Sequence, residues 1–202
     1  MKRPSQFVLC IALSALLDAS LASGQNPLVT EGRIAIDGKF TPYLIRRLPV
    51  SSFPDLPAPI QAALNQRGCL IPQTYQAHRP ENVVHASLES GRSSDWAVLC
   101  SAKGSVSLLV FFASAKEGTE PIVLASAPEM DRLEAHGADN VLGFNWGIDA
   151  ANPAQVHEAQ AGLAPRPMPL DHDALADETI DQRTVYRFYA RGAWRLLDMP
   201  VP

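Results

Sequence analysis

The chain lacks any apolar run long enough to cross a bilayer. Its longest, Phe7 to Leu17, has eleven residues, where a spanning helix needs ~20, so no transmembrane helix is expected. Charge is also scarce, at 19% of residues with a formal net charge of −4. A mildly acidic chain has no bulk attraction for a phosphate backbone, which argues against a nucleic-acid partner. Beyond Lys2-Arg3, Arg46-Arg47 is the one paired basic site, and it reads as a solvated face. The common catalytic signatures are missing too. There is no G-x-S-x-G elbow, no Walker loop and no G-x-G-x-x-G. His157-Glu158 opens like a zinc-protease helix, but residue 161 is Ala where the second His belongs.

What is present begins with an address. Lys2 and Arg3 precede the Phe7–Leu17 run, and small residues from Ala19 to Gly24 follow it. That is the layout of a secretory signal peptide. Cleavage is expected after Ala22, with Gly24 as the alternative, so the mature chain starts at Ser23. The apolar run's own cysteine, Cys10, sits near its start rather than after it, so no lipid anchor is expected. Loss of Lys2, Arg3 and Asp18 takes the formal charge to −5.

Export changes the reading of the other two cysteines, Cys69 and Cys100. In an oxidising compartment they have one possible pairing, and a disulfide is expected. Two buried thiols are the alternative. A zinc site is disfavoured, because there is no C-x-x-C and no His at finger spacing. Cys69 could act as a nucleophile only if reduced.

Residues 1–22 are read as the signal peptide, 23–55 as an N-terminal segment and 56–202 as a single α+β domain. The expected fold is an antiparallel sheet of five or six strands with one packed helix and one disulfide. The helix runs from Ile60 to Arg67, after Pro57 and Pro59, and Gly68 stops it. Strands are expected at Arg33–Ile36, Tyr43–Arg47, Asn82–Leu88, Asp95–Cys100, Ser105–Ala113, Pro121–Ala127 and Val141–Ile148, with a closing hairpin of Val185–Ala190 and Ala193–Leu197. Pro128–Asp139 has helical spacing, and Pro153–Ala161 is a short helix candidate. Val98, Leu108, Val110, Phe112, Phe188 and Trp194 are expected in the core.

The five histidines, His78, His85, His136, His157 and His172, are scattered. The densest polar run is Asp171-His172-Asp173, with Asp177 and Glu178 close behind. A cation could bridge its two carboxylates, or they could accept hydrogen bonds within a turn. The turn is the expected role, with no metal or cofactor held. A second loop, Ser87 to Val98, is similar at its end, Asp95-Trp96-Ala97-Val98, to the strand–loop–strand unit of FG-GAP-type repeats. Its carboxylates, Glu89 and Asp95, are too few for the oxygen-rich shell that calcium needs.

Three marks together resemble a group of uncharacterised exported bacterial proteins: Arg67-Gly68-Cys69-Leu70-Ile71-Pro72-Gln73, the Asn82–Cys100 strand pair, and Leu170–Asp173 ahead of the Tyr186–Trp194 hairpin. The resemblance spans about Leu56 to Asp198 and departs at Ala174, where Gly is expected. It implies export and an α+β fold and supplies no activity. The function expected is a non-catalytic extracytoplasmic domain, periplasmic or secreted, that binds a small ligand or an envelope component. The alternative is a periplasmic hydrolase or metal-dependent enzyme using Asp171, His172 and Asp173, with His85 or His157.

Overall fold

In a computed structural model, residues 28–116 and 118–199 are described. The expected signal peptide, its cleavage site and Cys10 lie outside them. Two strands open the described chain, β1 (Leu28–Ile36) and β2 (Lys39–Pro49), paired from Leu28↔Arg47 to Ile36↔Lys39. Their turn, Asp37-Gly38, has φ of 48° and 77°. Lys103-Gly104 and Arg191-Gly192 turn two further hairpins, again with positive φ at both residues. Such tight turns match the right-handed twist of the strands they join and need Gly at the second position.

Helix α1 (Ala58–Arg67) follows, ending where expected. The Gly68 amide donates to the Asn65 carbonyl and the Cys69 amide to that of Leu64, both at 3.0 Å. This double cap satisfies carbonyls that the helix end would leave open. It also aims Cys69 at Cys100, and the two form a disulfide with Cα atoms 5.0 Å apart. The expected pairing is therefore present. The chain-entropy account assigns such a loop about 3–4 kcal/mol.

The expected α+β fold with one antiparallel sheet is not what the chain forms. It is mostly β, with 49% of the described residues in strands against 16% helical, arranged in two sheets. After β3 (Leu70–Gln73) come β4 (Val83–Ala86), β5 (Asp95–Ala102), β6 (Ser105–Phe111), β7 (Ile122–Pro128), β8 (Leu133–His136) and β9 (Val141–Phe144). These build a nine-stranded sheet in the order β7-β6-β5-β3-β2-β9-β8, with β1 beside β2 and β4 beside β5. It is mixed, because β2 and β9 run parallel. The second sheet holds β10 (Trp146–Ala151), β11 (Ala174–Thr179), β12 (Arg183–Ala190) and β13 (Ala193–Met199), all antiparallel. Helix α2 (Pro153–Ala159) starts at a capping box formed by Asn152 and Gln155.

The differences from expectation have local causes. Val141–Ile148 is not one strand. It is β9 and β10 in different sheets, broken at Asn145. Pro128–Asp139 is a single 3-10 turn, Glu129–Arg132, followed by β8. Ala174, where Gly was expected, opens β11 fully buried opposite Ala151.

Alternation along the strands makes the layers. On β5, Ala97 and Leu99 face the core shared with the second sheet, while Val98 and Cys100 face α1. The shared core also takes Leu108 and Val110 of β6, Phe144, Trp146 and Leu175. The outer face of the second sheet packs Ala174 and Ala176 against Val156 of α2. The order is thus α1, large sheet, small sheet, α2. Val98, Leu108 and Val110 are buried as expected, whereas Phe112, Phe188 and Trp194 are only half-buried, Phe112 and Trp194 packing on the margin of the shared core and Phe188 on the cluster beside α2.

Arg46 and Arg47 do not form a solvated face. Arg47 is paired through two nitrogens with the buried carboxylate of Glu129, at 2.8 and 2.5 Å, and Ser101 Oγ donates to the same group. Arg46 donates to the carbonyls of Thr74 and Ala77. Both tie β2 to distant chain.

Candidate functional site

Asp171, His172 and Asp173 come together just ahead of β11, docked on the loop between β4 and β5. The Asp173 amide donates to the Ser87 carbonyl at 2.8 Å, and the Ser87 amide donates to Asp173 Oδ2 at 3.1 Å. His172 is buried, with Nδ1 2.7 Å from Asp171 Oδ1 and Nε2 2.7 Å from the Tyr189 carbonyl. Both neighbours are acceptors, and each ring nitrogen lies within hydrogen-bond distance of one of them. The hydrogen bond from His172 holds the exposed Asp171 carboxyl below its ordinary value. Gly91 makes the close docking possible, since a Cβ there would meet the Asp171 carbonyl oxygen at 2.5 Å. A cleft of about 550 Å³ lies over this run, bordered by Glu89, Leu170, Tyr189 and Arg191.

The neighbouring loop is organised by Asp95, which is completely buried. Its Oδ2 accepts from the amides of Leu88 and Glu89, both at 2.8 Å, and from Ser93 Oγ, while Oδ1 accepts from the Ala113 amide. The carboxylate that resembles a calcium-loop ligand is thus bonded to the protein's own backbone. Among the described residues, no group of three His, Cys, Asp or Glu is placed to hold a metal ion.

His85 and His157 stand apart from this run. His85 stacks on Trp96 at 4.3 Å and its Nε2 lies 2.7 Å from Ser94 Oγ, on open surface. His157 belongs to α2.

A second cleft, about 490 Å³, opens where the chain passes between sheets. Asn145 is the hinge. Its amide donates to the Arg132 carbonyl on the large-sheet side, and its carbonyl accepts from the Ile180 amide at the end of β11. Its side-chain Nδ2 donates to Glu134 Oε2 at 2.9 Å, and Gln182 Nε2 donates to the same oxygen at 2.6 Å. A carboxylate only accepts, so the orientation of the Asn145 amide follows. Its Oδ1 is then buried without a partner among the described residues. Of the four buried side-chain atoms in that state, it alone belongs to a residue lining either cleft.

Arg132 lines the same cleft, with its guanidinium 4.1 Å over the Trp146 ring. None of its N–H groups bonds an acceptor among the described residues. Burial disfavours its charge, and Asp177 partly offsets this. Asp177 is itself held by Trp146 Nε1 and Arg187 Nε, both at 2.6 Å. Beside the cleft, the Tyr75 hydroxyl donates to Asp181 at 2.6 Å, and its ring stacks on His136. Burial and the Asp181 carboxylate push the Tyr75 hydroxyl up to about 12.

Sequence reasoning missed this second site. Its residues come from a polar stretch with helical spacing, from the middle of an expected strand and from a hairpin turn. The one signal was Asn145 itself, a polar residue between Phe144 and Trp146 in an otherwise apolar run. Comparison with protein-family models, with curated proteins and with solved structures returns no match.

Proposed function

We propose that the chain is an exported, non-catalytic domain that binds a small polar ligand or an envelope component through the cleft at Asn145. The observation that carries this reading is the pair of unmatched groups there: the Arg132 edge and the second oxygen of Glu134. Ligand sites are concave and hold a few such oriented polar groups. The signal-peptide layout supports export, as does the resemblance to exported bacterial proteins. A disulfide is at home in an oxidising compartment. The hydrolase reading at Asp171-His172-Asp173 has less support, since both ring nitrogens of His172 and one Asp173 oxygen bond the fold itself.

Two measurements test the reading. N-terminal sequencing of the extracytoplasmic protein should begin at Ser23; an intact Met1 on a cytosolic pool refutes export. A thermal-shift screen with small polar metabolites and metals, followed by amide-shift mapping, should yield ligands that perturb Asn145, Thr179 and Gln182. Hits mapping instead to His172, with ester or phosphoester turnover lost in His172→Gln, would make the enzyme reading the leading one.

A further inference from the structure

We propose that the Asn145 cleft takes a zwitterion, a free α-amino acid or a short peptide with both termini unblocked. Its carboxylate would sit on Arg132 and its ammonium on Glu134. The inference rests on the reading of this cleft as the binding site and adds the chemistry of the ligand.

Three observations lead to it. First, the Arg132 guanidinium carbon lies 4.1 Å over the Trp146 ring, and none of its N–H groups meets an acceptor among the described residues. A planar fork of donors on a cation suits a carboxylate, which it binds through two parallel hydrogen bonds. Contact with the indole holds that fork in place before a ligand arrives, so less freedom is lost on binding. Second, Glu134 stands two residues on, on the same cleft wall. One of its oxygens accepts from both Asn145 and Gln182, and the other accepts from no described residue. The two amides orient the carboxylate, and its second oxygen suits a cationic N–H donor. Asn145 is therefore a positioning residue.

Third, the wall carries charges of both signs. Arg132 and Arg183 stand against Asp131 and Glu134. A polyanion such as a nucleotide would meet both carboxylates, and a polycation both guanidiniums. A ligand with one charge of each sign and no net charge meets neither penalty. A volume of about 490 Å³ is in the range of small-ligand sites and has room for a dipeptide.

The test uses the mature protein, with calorimetry and amide-shift mapping. The probes are L-alanine, L-alanyl-L-alanine and L-alanyl-L-alanyl-L-alanine, with N-acetylated and C-amidated forms of each. At least one unblocked probe should bind saturably and shift Asn145 and Thr179, and the length preferred separates amino acid from peptide. Blocking either terminus should weaken binding at least ~10-fold, or about 1.4 kcal/mol. Arg132→Met should erase the discrimination against the amidated form only, and Glu134→Gln that against the acetylated form only. The blocked probes need no variant, so a misfolded variant leaves the test intact. Equal binding of blocked and unblocked probes overturns the proposal, as does no binding by any unblocked probe. If a sugar or a dicarboxylate shifts the same amides while these probes do not, the zwitterion is wrong and the binding site stands.

Discussion

The two clefts lie in one fold and use their polar atoms in opposite ways. Around His172 the groups are matched within the chain. The imidazole bonds Asp171 and the Tyr189 carbonyl, Asp173 exchanges two hydrogen bonds with Ser87, and Asp95 accepts four. Around Asn145 the matching is partial, with the edge of Arg132, one oxygen of Glu134 and Asn145 Oδ1 left over. A matched hydrogen bond contributes about 1 kcal/mol net, while a desolvated group without a partner costs stability. The first cleft is therefore part of what holds the molecule together. The second holds groups that the fold does not use.

The largest effect that would break this contrast comes from Asp95→Ala. It removes the acceptor of three backbone amides and one hydroxyl in a fully buried site. Urea unfolding should show a loss of about 3–4 kcal/mol, with amide shifts spreading to Ser87 and His172 and sparing Thr179 and Gln182. A loss under about 1 kcal/mol would mean that the loop is held by something else.

A smaller effect sharpens the contrast through pH. Asp171 has its carboxyl held below the ordinary value by His172. The stability this gives is fully present above the carboxyl pKa of the unfolded chain and disappears as pH falls through the folded value. The gap between wild type and Asp171→Asn should thus be present near neutrality and shrink on acidification. A gap that is flat with pH would separate Asp171 from His172.

The smallest expected change has the opposite sign. Glu178, half-buried on β11, has its carboxyl raised by burial and then by Asp149, Asp177 and Glu81. A raised carboxyl binds its proton more tightly in the folded state, so its ionisation lowers stability above the folded pKa, and the penalty fades as pH falls. Glu178→Gln should raise the melting temperature slightly at neutral pH and leave it unchanged in acid. A loss at neutral pH would mean that the carboxylate is a stabilising partner.

What the amino-acid sequence revealed follows how local each feature is. The α1 stop at Gly68, the closing hairpin at Arg191-Gly192, the burial of Leu108 and Val110 and the Cys69–Cys100 pair were all legible, because each depends on neighbours in sequence or on a single possible pairing. The number of sheets was not. It depends on Asn145, whose backbone bonds residues 13 positions before it and 35 after it, and no periodicity encodes that. Strand β3 was hidden by its length of four and by Pro72. Strand β11 was hidden by its acidic residues. The same logic applies to the sites. Asp171-His172-Asp173 is conspicuous because its polar residues are adjacent, whereas Arg132, Asn145 and Gln182 meet only after folding.

The contrast between a matched and an unmatched cleft is tested most directly by measuring two variants side by side in urea, His172→Ala and Arg132→Met. His172→Ala should lose about 2–3 kcal/mol, since it leaves the Tyr189 carbonyl without its donor and opens a hole beneath the loop. Arg132→Met should lose under about 1 kcal/mol, because the attraction to Asp177 goes together with the cost of burying the charge, and the methionine covers the same ring. Equal losses, or a larger loss at Arg132, would show that Arg132 belongs to the structure and would contradict the account.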